Sequence, residues 1–553
     1  MITNNKELAD ILLPDVKNSP QYYEEKYPQR NLPQDAIVTR FGPSPTGFLH
    51  IGSLYAALIE KRAADQTGGV FFLRIEDTDK KREVENGVTL LLDGLKQFGI
   101  VPDEGVVGEE SEKGNYGPYK QSERAEIYKT FVKELIARGL AYPCFCSQEE
   151  LEKSRSIQEQ KGIRPGYYGK WAKDRNLSFE EIEKNLKEGK TFVIRIKAPE
   201  QKGKTIKFVD LIKDEIEMPE NDLDAVIFKS DGLPLYHFAH AVDDHFMRTT
   251  HVIRGDEWLP SVPLHIQLFE MFGWKVPIYA HVAPINKIDG NSKRKISKRK
   301  DPEAAVSYYR EKGYPSESVI DYLLNLANSN FEEWRMENPK APNTEFVIDF
   351  VKMGVSGPLF DFVKMNDISK NVIGFMTSEE VYEKSLDWAE EFDKELAELM
   401  KREKEYTIGA LNIERNSVKP RKDIAKWSDV RPTVEFFYDD VFEVDENYDF
   451  SENDTKENIN LVLESYVKVL ELGNEKEQWF NHLKDFAETV GYARDAKTYK
   501  KNPDSYKGHV GDVAMILRVA LTKKRNTPDL HEMINVMGKD RVQKRFVRCI
   551  EGI

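Results

Sequence analysis

Cysteine is scarce: the 553-residue chain holds three, Cys144, Cys146 and Cys549. An odd, sparse set is no disulfide framework and suits a reducing compartment. Long hydrophobic runs are also missing. A bilayer-spanning helix needs roughly 18–20 apolar residues, and the stretch from Trp258 to Phe269 is among the longest uncharged ones. The first residues, Met1 to Glu7, carry no apolar core of a signal peptide. A soluble cytoplasmic protein with no membrane partner is expected. An excess of positive charge is missing too. Lys and Arg number 81 against 95 Asp and Glu, a net charge of −14, so charge alone does not mark a nucleic-acid binder. No internal repeat and no long low-complexity tract is visible.

What the chain does have is material for packed cores. Hydrophobic residues make up 40%, with 24 Tyr, 29 Phe and 7 Trp, which argues against general disorder. The length implies three or more structural units. Positive charge is concentrated: residues 491–553 hold 14 Lys and Arg against 7 Asp and Glu, and a basic string runs from Lys293 to Lys300. Such patches let an acidic protein meet a phosphate backbone locally; a solvated charged surface would look the same. The region 376–470 is strongly acidic.

Residues 1–35 are polar and proline-bearing, an extension packed on or trailing from the first domain. Ala36–Phe41 reads as a buried strand, Gly52–Gln66 as a helix stopped by Gly68-Gly69, and Val70–Ile75 as a second strand. This βαβ unit implies a doubly wound parallel sheet. Residues 85–140 read as helical. From Tyr142 to Asp224 short strands and loops suggest an inserted α+β domain. Sheet texture returns at Ala225–Phe228, Thr250–Arg254 and Ile278–Ala283. After Asp301 the pattern is almost wholly helical, and Met515, Leu517 and Leu521 are expected inside that part.

Two strings carry the chemistry. Pro43-Ser44-Pro45-Thr46-Gly47-Phe48-Leu49-His50-Ile51-Gly52-Ser53 sits between strand and helix, where ligands bind a sheet of this kind. Small residues there admit a nucleotide, and a helix N-terminus favours phosphate. About 245 residues later comes Lys295-Ile296-Ser297-Lys298-Arg299, whose mobile ammonium groups could follow charge moving onto a leaving phosphate. Singly, the first string also fits a structural turn and the second a basic loop on solvent or RNA. Arg40 and the Arg74–Asp79 string lie at strand ends on the same edge. Further along stand Tyr236-His237-Phe238-Ala239-His240 and Val252–Trp258 with Arg254.

Together these strings resemble the two signatures of class I aminoacyl-tRNA synthetases, in the glutamyl branch. The likeness covers residues 36–370 and 490–553, is thin over 376–490 and absent over 1–35. It departs from the family at Ser53, where the second signature His is usual, at Gly42, where Ala is usual, and at His240, where Asn is common. The resemblance implies a glutamate–tRNA ligase that uses ATP with Mg²⁺, L-glutamate and tRNA-Glu, activates glutamate only with tRNA bound, and works as a monomer. It implies His50, Lys295 and Lys298 as catalytic residues. ATP would be held by Pro43, Ser44, Thr46, Gly47, His50, Gly52, Ser53, Ser297 and Lys298. Glutamate would be held by Arg40, Ser44, Glu76, Tyr236, His240 and Arg254. The alternatives are a glutaminyl-tRNA ligase and a non-catalytic tRNA-binding paralogue.

The implied layout is a Rossmann-like catalytic domain in halves, 36–141 and 225–300, split by an acceptor-end-binding insertion, 142–224. A helical stem-contact domain, 301–385, and a helical anticodon-binding domain, 386–553, would follow. Many relatives resembled here add a zinc ligand after a Cys-x-Cys pair. The segment Tyr167–Ala172 offers neither Cys nor His, so the pair Cys144 and Cys146 is read as metal-free and zinc is not expected.

Overall fold

A computed structural model describes residues 2–45, 47–79, 84–199, 203–417, 420–444 and 447–553. The chain forms two compact units, one of residues 1–308 and 320–361, the other of 309–319 and 362–553.

The first unit begins with α1 (Ile2–Leu12) and α2 (Pro20–Lys26). The extension is docked, not trailing. Tyr23 and Tyr27 are buried against Phe246, and Arg30 forks onto Glu104 at 2.9 and 3.0 Å. Next come β1 (Val38–Phe41), α3 (Ile51–Asp65) and β2 (Val70–Leu73). The two strands run parallel in register Val38 to Val70, which the crossover through α3 allows. Gly69 makes the return possible: a Cβ there would lie 1.9 Å from the Ile37 carbonyl oxygen.

Where a helical run was expected over 85–140, helices Gly87–Gln97 and Ala125–Ala137 flank a hairpin of β3 (Glu104–Gly108) and β4 (Ser111–Lys113). Gly105, at φ +110°, lets β3 lie against Leu73 of β2, a tertiary fit that local periodicity does not reveal.

The segment expected as an insertion is shared between two sheets. β5 (Ala141–Cys144) and β6 (Val193–Ile196) pair antiparallel, but β7 (Thr205–Asp210) and β8 (Asp214–Pro219) join the main fold. β9 (Val226–Phe228), expected in the second catalytic half, pairs with β6 instead. β10 (His251–Gly255) and β11 (Ile278–Val282) are parallel, and β11 pairs with β7 at Tyr279 and Asp210. Thr250 donates its backbone N–H to the Val38 carbonyl, which sets β10 beside β1. The hairpin β12 (Asn286–Asp289) and β13 (Ser292–Lys295) then carries the basic string.

The second unit is helical. The helices Ser378–Phe392, Lys456–Val469, Lys476–Thr489, Val510–Thr522 and Leu530–Gly552 bury one cluster including Val462, Leu463, Leu483, Leu517, Leu521 and Phe546. Met515 is only partly buried, contrary to the expectation, while Leu517 and Leu521 are inside.

Candidate functional site

A cavity of about 370 Å³ opens at the strand ends of the first unit. Its walls come from β1, α3, β10, the helix Tyr236–Phe246 and the basic string. Among its lining residues are Arg40, His50, Gly52, Ser53, Glu76, Tyr236, Arg254 and Lys295. Sequence reasoning had chosen all eight.

His50 is the N-cap of α3, and its Nδ1 accepts the Gly52 N–H at 2.9 Å. That fixes the ring's orientation and satisfies one orphan donor of the helix. Burial pushes the imidazole down to about 4, assisted by the neighbouring ammonium groups of Lys298 and Lys295. The ring is therefore neutral near pH 7. Lys298 Nζ donates to the Phe48 carbonyl oxygen, and Val306 N–H to the Leu49 carbonyl at 3.0 Å. The two distant strings thus touch. Asp301 closes the basic loop, accepting from Arg294 at 2.6 and 2.8 Å and from the Ser297 N–H at 2.9 Å. Lys295 pairs with Glu257 at 2.9 Å.

Deeper in, Asp244 joins two arginines: Arg40 Nε at 3.2 Å and Arg74 Nη1 at 2.6 Å. Burial would raise the Asp244 carboxyl, but Arg40 and Arg74 hold it below its usual range. Arg74 also grips Glu76 at 3.0 Å. Glu76 lies so close to Gly42 that a Cβ there would come 2.5 Å from its Oε1, so a side chain at that position would have to displace the carboxylate. Arg254 differs. Among the described residues no carboxylate pairs with it; its partners are His281, His265 and the Trp258 carbonyl, at 3.1–3.4 Å.

Pro43, Ser44, Gly47, Ser297 and Lys298 do not line this cavity, and Thr46 lies outside the described residues. Pro43 contributes through its carbonyl, which accepts the Glu76 N–H at 3.0 Å. His240 is fully buried behind the wall, 3.4 Å from Arg40 Nη2, with its Nε2 unpartnered. Sequence reasoning missed Glu60, Asp210, His265 and His281. Glu60 lines the cavity and is buried in α3 directly after the apolar run Leu54–Ile59, which was the available signal.

A family model for the catalytic domain of class I tRNA synthetases (E and Q) matches residues 36–340, and one for an anticodon-binding domain matches 498–550. A glutamate–tRNA ligase of Clostridium perfringens is 51% identical over 547 residues, covering 99% of each chain. One of Acetivibrio thermocellus is 46% identical over 546 residues, covering 99% of this chain and 100% of its own. The chain belongs to the glutamate–tRNA ligase family. The crystal structure of a glutamate–tRNA synthetase from Elizabethkingia anophelis superposes with TM-score 0.74 at 28% identity, covering 94% of this chain and all of its own. The ligase fold therefore extends through both units.

One feature of this ligase lies away from the cavity. Cys144, Cys146 and Asp174 bring potential metal-ligating atoms within 4.8 Å of one another, and the Tyr167 hydroxyl lies 3.4 and 3.3 Å from the two sulfurs. The thiol pair, expected to be metal-free, has a carboxylate beside it: Asp174 stands two residues beyond the segment in which a ligand was sought. A hydrogen bond between the sulfurs draws the Cys144 thiol down and pushes Cys146 up.

Proposed function

We propose that this ligase activates L-glutamate with ATP and passes it to the 3′-terminal ribose of tRNA-Glu. An α-carboxylate oxygen of glutamate attacks the α-phosphorus. The bond to the β-phosphate oxygen breaks and pyrophosphate leaves. A ribose hydroxyl of the tRNA then attacks the glutamyl carbonyl, displacing AMP. Catalysis is positioning and charge stabilisation. His50, neutral and pinned by the Gly52 N–H, turns its remaining N–H toward phosphate oxygen. Lys295 and Lys298 follow the charge that moves onto pyrophosphate. Gly52 and Ser53 border the nucleotide at the start of α3, and Ser297 orders the loop.

Arg254 receives the side-chain carboxylate, with Arg40 behind it. Glu76 faces the ammonium group and Tyr236 forms a wall. Magnesium travels with the nucleotide's phosphates. Of the carboxylates lining the cavity, Glu76 is bound to Arg74 and Glu257 to Lys295, and burial pushes the Glu60 carboxyl well above its usual range. They form no cage for an ion.

The observation that carries this reading is the meeting of the two strings beside Arg254, a guanidinium that no carboxylate among the described residues neutralises. It favours an acidic amino acid over its amide, because a neutral amide leaves the buried charge unpaired. It also disfavours a non-catalytic paralogue, which has no need of both strings in contact. Lys298→Ala is expected to slow adenylate formation about 100-fold or more while tRNA affinity stays within about twofold. Equal activation rates in variant and parent would reject the role.

A further inference from the structure

Arg254 is 6% exposed, yet its anchors are neutral. Its Nε donates to His281 Nε2 at 3.1 Å, so that nitrogen carries no proton. His281 Nδ1 therefore bears the hydrogen and donates it to Asp210 Oδ2 at 2.7 Å. Asp210 is fixed in turn by the backbone N–H groups of Ile212, Lys213 and His281, at 3.0, 3.1 and 3.0 Å. On the other side His265 Nδ1 lies 3.3 Å from both Nη1 and Nη2. An arginine can only donate, so this nitrogen accepts, and the proton on Nε2 goes to His237 Nδ1 at 2.9 Å. Guanidinium has five N–H groups; the contacts to His281, His265 and the Trp258 carbonyl use four of them, which leaves one, on Nη1, for a ligand.

We propose that His281 and His265, backed by Asp210 and His237, are positioning residues. They aim the Arg254 guanidinium while leaving its charge unspent. A carboxylate in either place would hold the arginine as firmly but cancel the field that draws an acidic side chain. Arg40, tied to Asp244 at 3.2 Å, shows the contrast. Asp210 sets the tautomer of His281 and stands one residue further from Arg254 than a direct ion pair would. This inference rests on Arg254 being the receptor for the substrate's side-chain carboxylate.

The test is a double-mutant cycle on the full-length enzyme with tRNA and ATP. His281→Gln is expected to raise the glutamate KM about tenfold or more, with the ATP KM within about twofold. Asp210→Asn is the second variant, should the first fail to fold. Its amide would present an N–H to His281 Nδ1, force the proton onto Nε2 and turn a donor against Arg254, with the same direction of effect. In an Arg254→Lys background, which has no Nε–H to orient, His281→Gln is expected to add less than about twofold. An unchanged glutamate KM in both folded single variants overturns the proposal. So does a His281→Gln effect that persists undiminished beside Arg254→Lys, because that marks a structural role. If Arg254→Lys itself leaves the glutamate KM unchanged, the receptor assignment fails, and with it the inference, independently of either histidine variant.

Discussion

At the scale of single residues, the site is a problem in placing charge where water is scarce. Glu60 is the sharpest case. It is 2% exposed, 4.0 Å from Arg40, and its Oε2 has no partner. Burial pushes its carboxyl well above the usual range, more than Arg40 pulls it down. A carboxyl whose folded pKa is raised takes up a proton that the unfolded chain releases above about 4.5. Stability therefore falls as pH rises through that window. Glu60→Gln removes the cost without changing shape. Its thermal midpoint at pH 7 is expected to exceed the parent's by about 1–3 °C, with no gain at pH 4. A lower midpoint at pH 7 would mean that Glu60 is ionised and holds Arg40. Arg40, His50, Glu76, Tyr236, Arg254 and Lys295 were legible in the sequence because each belongs to a recognisable string. Glu60, Asp210 and His281 were not. Glu60 follows an apolar run in α3 and reaches the cavity through the packing of that helix, while Asp210 and His281 lie behind Arg254 and are brought together by the pairing of β11 with β7.

At the scale of elements, α3 links stability with chemistry through its first residue. His50 caps the helix with Nδ1 and leaves its other face for the nucleotide. The two duties can be separated. His50→Asn keeps a good cap, whereas His50→Ala loses one at about 1 kcal/mol. Both variants are expected to lose adenylate formation, but only the alanine variant should unfold earlier on heating. Equal thermal midpoints would contradict the capping role; retained activity in either would contradict the chemical one. The elements best read from sequence were β1, α3 and β2, where a buried apolar run, a helix and a glycine stop follow one another. The β3–β4 hairpin was lost inside a helical pattern. β9, expected with the second catalytic half, pairs with β6, and β7 pairs with β11, since short strands with similar alternation do not encode which sheet they join.

At the scale of the whole molecule, the first unit concentrates histidines that folding keeps neutral. Burial lowers His50, His237, His240, His245, His251, His265 and His281, with His50 and His251 at about 4. Below the ordinary imidazole value of about 6.5 the unfolded chain binds protons that the folded chain refuses. Stability must then fall as pH drops from 6.5 toward 4. Thermal unfolding at pH 5 is expected well below that at pH 7.5; an equal or higher midpoint would mean these rings are charged in the folded state. The helical character of the second unit was legible, because the pattern after Asp301 is almost wholly helical. The compact units exchange at residues 308, 319 and 361, and an unbroken helical texture carries no mark where one core ends and another begins.

The central claim is that a nucleotide site made by two touching strings lies beside a guanidinium reserved for a carboxylate. Charging purified tRNA-Glu with labelled glutamate and, in parallel, labelled glutamine tests it most directly. Glutamate should be esterified with a kcat/KM at least about 100-fold above that of glutamine. Equal use of the two amino acids, a preference for glutamine, or no charging with either would contradict the account.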